Sequence, residues 1–207
     1  MADATATLAD RIDARLPQTQ CTRCGYADCR AYAEAVADGS AALNRCPPGG
    51  DEVIRSLAEL LNQPALPLDE SCGTAETHPV VAFVREAECI GCYKCAAACP
   101  VDAFVGAPKL MHTVIEAECT GCELCIPVCP VDCIELRPRR VDTLLGRQRD
   151  ALSRRRYAAR NARLQARREE REAQRLSRLT ARAKETRIAG YLNAARQRSQ
   201  QSRNDTA

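Results

Sequence analysis

The sequence places 14 cysteines in 207 residues, and eight of them fall into one pattern written twice. C-x2-C-x2-C-x3-C-P occurs at Cys89, Cys92, Cys95, Cys99 and Pro100, and again at Cys119, Cys122, Cys125, Cys129 and Pro130. A [4Fe–4S] cube presents four irons, and each takes one thiolate. Cysteines three apart on a tight loop reach three corners. The fourth corner lies on the far side, and in two-cluster proteins the other repeat supplies its ligand. The spacing therefore predicts one cluster on Cys89, Cys92, Cys95 and Cys129, and a second on Cys99, Cys119, Cys122 and Cys125. Structural zinc uses pairs of C-x2–4-C separated by a longer spacer, which these repeats fit poorly.

A further set, Cys21, Cys24, Cys29 and Cys46, reads C-x2-C-x4-C-x16-C. By itself it leaves zinc and an iron–sulfur cluster both open. Its place before two clusters favours a third redox centre, with a zinc knuckle as the alternative. Cys72 stands alone, and Cys133 occupies the repeat position held by Ala103. Both read as spare thiols. His78 and His112, the only histidines, adjoin expected strands and are given no functional role.

The elements that must hold these cysteines follow from periodicity. Leu8, Ile12 and Leu16 suggest a short helix ended by Pro17. A second helix is expected from about Cys29 to the stop at Gly39. A third carries Val53, Ile54, Leu57, Leu60 and Leu61 on one face, with Asp51 and Glu52 at its favourable N-terminal end. Residues 1–62 are thus expected to form a small all-helical [4Fe–4S] domain, and 63–77, rich in Pro and polar residues, a linker. In residues 78–137, Val80–Val84 and Met111–Ile115 read as strands. Glu86–Phe104 and Glu116–Ile134 align at an offset of 30 residues. A duplicated unit of strand, cysteine loop, short helix and strand is expected, its halves packed about a pseudo-two-fold. The fold class is α+β: the helical domain, a two-[4Fe–4S] ferredoxin-like domain, and a basic helical tail at 138–207.

Aromatic residues make up 3% of the chain and there is no Trp, so a large conventional core is not expected and metal centres must staple the small units. The first residues carry acids and no apolar signal region, which disfavours export and disulfides. The longest uncharged run, Leu60–Leu68, is too short to span a bilayer. Charge is divided unevenly. Residues 1–136 hold 9 Lys+Arg and 20 Asp+Glu, whereas 137–207 hold 21 and 7. The tail is rich in Ala, Arg, Glu and Gln, with a thin apolar stripe at Leu152, Leu164, Leu176 and Leu179. It reads as a solvated helix whose last residues, from Gln197, are disordered.

The unit "QCTRCGYADCRAYAEAVADG…NRCPPGG", followed by "CIGCYKCAAACPVDAF" and "CTGCELCIPVCPVDCI", resembles the B subunit of Rnf-type (Rsx) electron transport complexes over residues 10–136. The resemblance implies iron–sulfur at Cys21, Cys24, Cys29 and Cys46, and so three [4Fe–4S] clusters. It also implies partners among the other subunits of such a complex, which couples electron flow between ferredoxin and NAD to ion movement at the bacterial inner membrane. Typical members begin with a hydrophobic anchor, which this sequence does not show, and the family core does not require the long basic tail that it carries. The expected location is cytoplasmic, peripheral on the inner membrane's cytoplasmic face.

No catalytic acid, base or nucleophile constellation is present. The leading expectation is an electron-transfer protein serving complex subunits or soluble redox proteins. Glu88, Asp102, Glu118, Glu123 and Asp132 are expected to attract basic patches on such partners. The tail is expected to dock on an anionic membrane or partner, with nucleic acid or the acidic body as other targets. The rival class is a nucleic-acid-binding or regulatory protein with structural metal centres.

Overall fold

The computed structural model describes residues 6–76, 78–139 and 146–204. The chain divides into two units, Met1–Arg160 and Asn161–Ala207. The expected junction between the ferredoxin-like region and the tail includes 140–145, which lie outside the described residues.

Three helices open the first unit: α1 (Leu8–Asp13), α2 (Cys29–Ala37) and α3 (Gly50–Leu61). α1 starts at a capping box in which Thr7 and Asp10 satisfy each other's backbone N–H groups. It ends before the expected Leu16. Leu16 is nevertheless fully buried, while Leu8 is 38% exposed, so the buried stripe begins one turn later than the spacing implies. The Asp28 carboxylate caps α2 by accepting the Ala31 N–H. α3 closes on Asn62 in the left-handed conformation. Ile12, Leu16, Tyr32, Val36, Leu43, Ile54 and Leu57 form the core between the helices.

Residues 63–76 pack onto this helical region rather than span open space. Asn44 donates its side-chain amide to Pro67 O and accepts the Asp69 N–H, and the Glu76 N–H donates to Pro47 O. A 3-10 turn, Glu70–Cys72, buries Cys72.

The cysteine repeats follow, with β1 (Val80–Val84), α4 (Lys94–Ala98), β2 (Phe104–Val105), β3 (Thr113–Val114) and β4 (Ile134–Pro138). β1 pairs antiparallel with β4, and β2 with β3. Each repeat's first strand thus pairs with the other repeat's last, so neither half completes a sheet alone. The repeat relation reaches single contacts. A Cβ on Gly91 would lie 2.7 Å from Leu110 N and O, and one on Gly121 would lie 2.6 Å from Val80 O, thirty residues away in both partners. Both glycines also have positive φ, so bare backbone is required at each.

The symmetry fails at the expected short helix. The first repeat forms α4, where the Ala97 N–H donates to Tyr93 O. The second repeat has turns, because Pro127 stands at that position and has no N–H to give.

α5 (Arg147–Asn204) belongs to both units. Its helix runs through the terminal stretch expected to be disordered, up to Asn204, on a sequence without Gly or Pro after Gly190. Leu176 and Leu179 on the expected stripe are more than half exposed. Among the described residues no helix is long and apolar enough to cross a membrane.

Candidate iron–sulfur centres

Two of the three cysteine sets enclose recognisable spaces. Cys99, Cys119, Cys122 and Cys125 line a small cavity of about 10 Å³, with Ala82, Val101, Phe104 and Leu136 among its other walls. Cys99 comes from the first repeat and the other three from the second, which is the crossing the spacing predicts. Cys21, Cys24, Cys29 and Cys46 line another small cavity of about 10 Å³ with Leu16, Tyr32 and Pro47.

A single zinc ion would need four sulfurs about 2.3 Å from one point. Among the described residues no three His, Cys, Asp or Glu side chains converge in that way. The chemistry of the sets, four thiols each and no other donor type, fits a cluster with one thiolate per iron.

The third set is more open. Cys95 is buried, Cys89 and Cys129 are half-buried, and Cys92 is exposed. Cys89 and Cys95 are bridged by the ring of His112, whose Nδ1 lies 3.6 Å from Cys89 Sγ and 3.8 Å from Cys95 Sγ. Cys133 Sγ lies 3.6 Å from Cys129 Sγ. By spacing Cys133 is a spare thiol, yet its side chain is buried against a ligand candidate.

Backbone N–H groups aim at the sulfurs. Ala82 donates to Cys119 Sγ at 3.4 Å, His112 to Cys89 Sγ at 3.4 Å, and Ala103 to Cys99 Sγ at 3.2 Å. Such donors stabilise thiolate and added electron charge. Without metal, several of the thiols are made harder to ionise by burial. Burial pushes Cys46 and Cys125 up to about 12, and Cys95 and Cys122 up to about 11, with neighbouring thiols adding repulsion. Burial raises Cys29 as well. Loading must therefore displace protons, and a positively charged iron core offsets the cost of gathering thiolates. Cys129 is the exception. Burial opposes its ionisation, but backbone N–H groups of Val131 and Cys133 and the Cys133 thiol outweigh it and lower the pKa.

The helical region's cysteine loop is held by polar groups that spacing and periodicity do not mark. Gln18, Gln20 and Thr22 all have positive φ, which costs on the order of 1–3 kcal/mol each. The compensation is a buried chain of hydrogen bonds. Arg154 donates to Asp13 O, Gln18 Nε2 donates to Asp13, Gln20 Nε2 donates to Gln18 Oε1, and the Cys29 N–H donates to Gln20 Oε1. Tyr157 of α5 donates to Asp28, the residue before Cys29. Two turns of α5 thus reach the first centre. Arg156 donates to Val101 O, Asp102 O and Glu118, and Arg160 to Ala97 O, so the same turns hold the segments around Cys99 and Cys119.

This accounts for most of the acids expected to meet redox partners. Glu118 is paired with Arg156, Asp102 with Arg160, Glu123 with Arg23, and Glu88 with Arg85. They neutralise the chain's own arginines.

The comparisons with known proteins agree with this geometry. Residues 82–136 match the family model "4Fe-4S dicluster domain" and residues 16–48 match "Putative Fe-S cluster". The chain is similar to the B subunits of ion-translocating oxidoreductase complexes. It is 58% identical over 108 residues to that protein from Alkalilimnicola ehrlichii, covering 52% of this chain and 58% of the relative. It is 60% identical over 108 residues to the one from Pseudomonas aeruginosa, covering 52% and 55%, and 58% identical to that of Hahella chejuensis, covering 52% and 54%. The chain spans a little over half the length of the curated relatives it matches. Neither family model includes α5.

Proposed function

We propose that the chain is an electron-transfer protein holding three [4Fe–4S] clusters, on Cys21, Cys24, Cys29 and Cys46; on Cys99, Cys119, Cys122 and Cys125; and on Cys89, Cys92, Cys95 and Cys129. Bound there, the clusters supply one-electron transfer. The chain's residues set their order. Thr19 lines the first cavity and Thr120 the second, and Thr120 Oγ1 donates to Thr19 O at 3.0 Å. That contact is the observation that supports the reading, because it joins a residue beside the helical region's cysteines to one beside Cys119. Of the third set, Cys92 reaches the surface.

By analogy with the relatives, the partners are other members of an ion-translocating oxidoreductase complex, with the chain peripheral on the membrane's cytoplasmic side. The basic helix beyond Arg160 supports a further role in docking on an anionic surface. Its exposed arginines are interleaved with Leu176, Leu179, Ile188, Tyr191 and Leu192, all about half exposed or more.

Anaerobic purification tests the core reading. A brown protein with about twelve irons per chain and reduced-state EPR signals is expected. A colourless zinc protein overturns it. Sedimentation with anionic liposomes, with and without residues 161–207, tests the helix.

A further inference from the structure

His112 is 1% exposed, in a chain with only two histidines. Its backbone N–H and its ring both face cysteine sulfur: the N–H meets Cys89 Sγ at 3.4 Å, and Nδ1 lies within 3.8 Å of both Cys89 Sγ and Cys95 Sγ. Nε2 has no hydrogen-bond partner among the described residues, so the ring's polar engagement runs to those two sulfurs. With Cys89 and Cys95 bound to a cluster as thiolates, the tautomer protonated on Nδ1 would be the one able to donate to them. Tyr93 packs edge-on against the ring, at a centroid distance of 5.7 Å.

The internal repeat supplies a control. Position 112 corresponds to Ala82, which gives the other centre the same backbone N–H, to Cys119 Sγ, and no side-chain donor. The residue opposite each is complementary in size. Ala82 pairs with Leu136, which lines that centre's cavity. His112 faces Gly106, where a Cβ would come within 2.2 Å of the imidazole Cδ2. One strand pair thus presents a small residue and a leucine to its centre, and the other a histidine and a glycine. Gly106 has φ +148°, a conformation a side chain rarely adopts, so the space for the ring is built into the backbone.

We infer that His112 is a potential-setting residue, a buried N–H donor to the centre on Cys89, Cys92, Cys95 and Cys129 with no counterpart at the repeat-related centre. A donor dipole favours the more negatively charged reduced state and so raises the reduction potential. The effect raises the potential of this outer centre above the value it would have without the donor, and leaves the inner, repeat-related centre without that contribution. The inference rests on the three-cluster reading.

The test is an EPR-monitored redox titration of the full-length anaerobic protein. A Cys99→Ala background, which removes a ligand of the inner ferredoxin centre, identifies the outer signal. His112→Leu is expected to shift the outer centre's potential downward and leave the others in place. His112→Asn, whose amide can donate from a similar position, is expected to restore part of the shift. Should His112→Leu fail to assemble, the converse graft decides: Ala82→His with Leu136→Gly is expected to raise the inner centre's potential. Unchanged potentials in a fully loaded His112→Leu protein, or no upward shift in a loaded graft, overturn the inference. Absence of iron–sulfur signals in the unsubstituted protein would instead overturn the three-cluster reading.

Discussion

The loops around Cys89–Cys95 and Cys119–Cys125 share one pattern but face different surroundings. In the second loop Thr120 is buried and donates to Thr19 O, and Glu123 pairs with Arg23 of the helical region. The corresponding residues of the first loop are Ile90 and Tyr93, 58% and 43% exposed. Val80, beside Gly121, has Leu110 as its counterpart, 63% exposed. The cysteines repeat the same spacing twice. The residues between them turn one loop into an internal interface and leave the other open. The inner loop is polar because it must satisfy a backbone carbonyl and an arginine, and the outer one is apolar and accessible to another protein.

The crossing of ligands is where this comparison can be broken most completely. Cys99→Ala is expected to remove the inner ferredoxin centre while sparing the outer one, although Cys99 sits in the first repeat. Cys129→Ala is expected to do the reverse. Each should lose about four irons per chain, by iron analysis and by loss of one EPR component. Loss of the centre belonging to the mutated repeat's own loop would overturn the exchange.

A helix-breaking swap is next in size. Ala97→Pro removes the N–H that bonds to Tyr93 O within α4, and is expected to destabilise the first repeat by about 3 kcal/mol. The thermal transition of the loaded protein should fall, and the outer centre should bleach first in chelator. Equal bleaching of both centres would show that α4 does not support the outer loop separately.

Thr120→Val tests the inner loop's contact with the helical region. It leaves Thr19 O without its buried donor, at a cost of about 1–3 kcal/mol. Ile90→Thr, the matched change at the exposed loop, is expected to fall within about 0.5 kcal/mol of the unsubstituted protein. Denaturant unfolding of both variants measures the difference. Equal effects would mean that the inner interface contributes nothing particular.

Much of this is legible in the sequence because cluster ligation dictates spacing. C-x2-C-x2-C-x3-C-P predicts eight ligands and their exchange, and the structure adds that Cys99 lines one cavity with Cys119, Cys122 and Cys125. The 30-residue offset implies halves that complete each other, as the swapped pairing of β1 with β4 and β2 with β3 does. His112 escapes the sequence because its neighbours do not reveal that Gly106 leaves room for a ring beside Cys89. Gln18 and Gln20 escape it because nothing local marks a polar residue as buried in the left-handed conformation. The tail's charge is visible, but not its division: Arg154, Arg156, Tyr157 and Arg160 bond to the acidic body, while residues beyond them are largely exposed. A net charge is a property of the whole segment, and pairing depends on which few side chains meet a carboxylate. Pro127 is in plain view, and its consequence for the second short helix follows from Pro's missing N–H alone.

That proline offers the smallest and most specific test of the difference between the repeats. In the second repeat the Ile126 N–H donates to Glu123 O, a turn-type bond. Pro127→Ala would add an N–H able to reach the same carbonyl, as Ala97 reaches Tyr93 O in the first repeat. Glu123 and Tyr93 already share a positive φ, so the loop enters both segments alike. The gained bond is worth about 1 kcal/mol, and loss of the rigid ring frees the unfolded chain by a comparable amount. The net change in stability should therefore lie within about 0.5 kcal/mol of zero. Amide hydrogen exchange at residues 124–128 should nonetheless slow, because protection reports the local bond rather than the total. Unchanged exchange would show that the turn in the second repeat is imposed by its contact with the helical region and not by the proline.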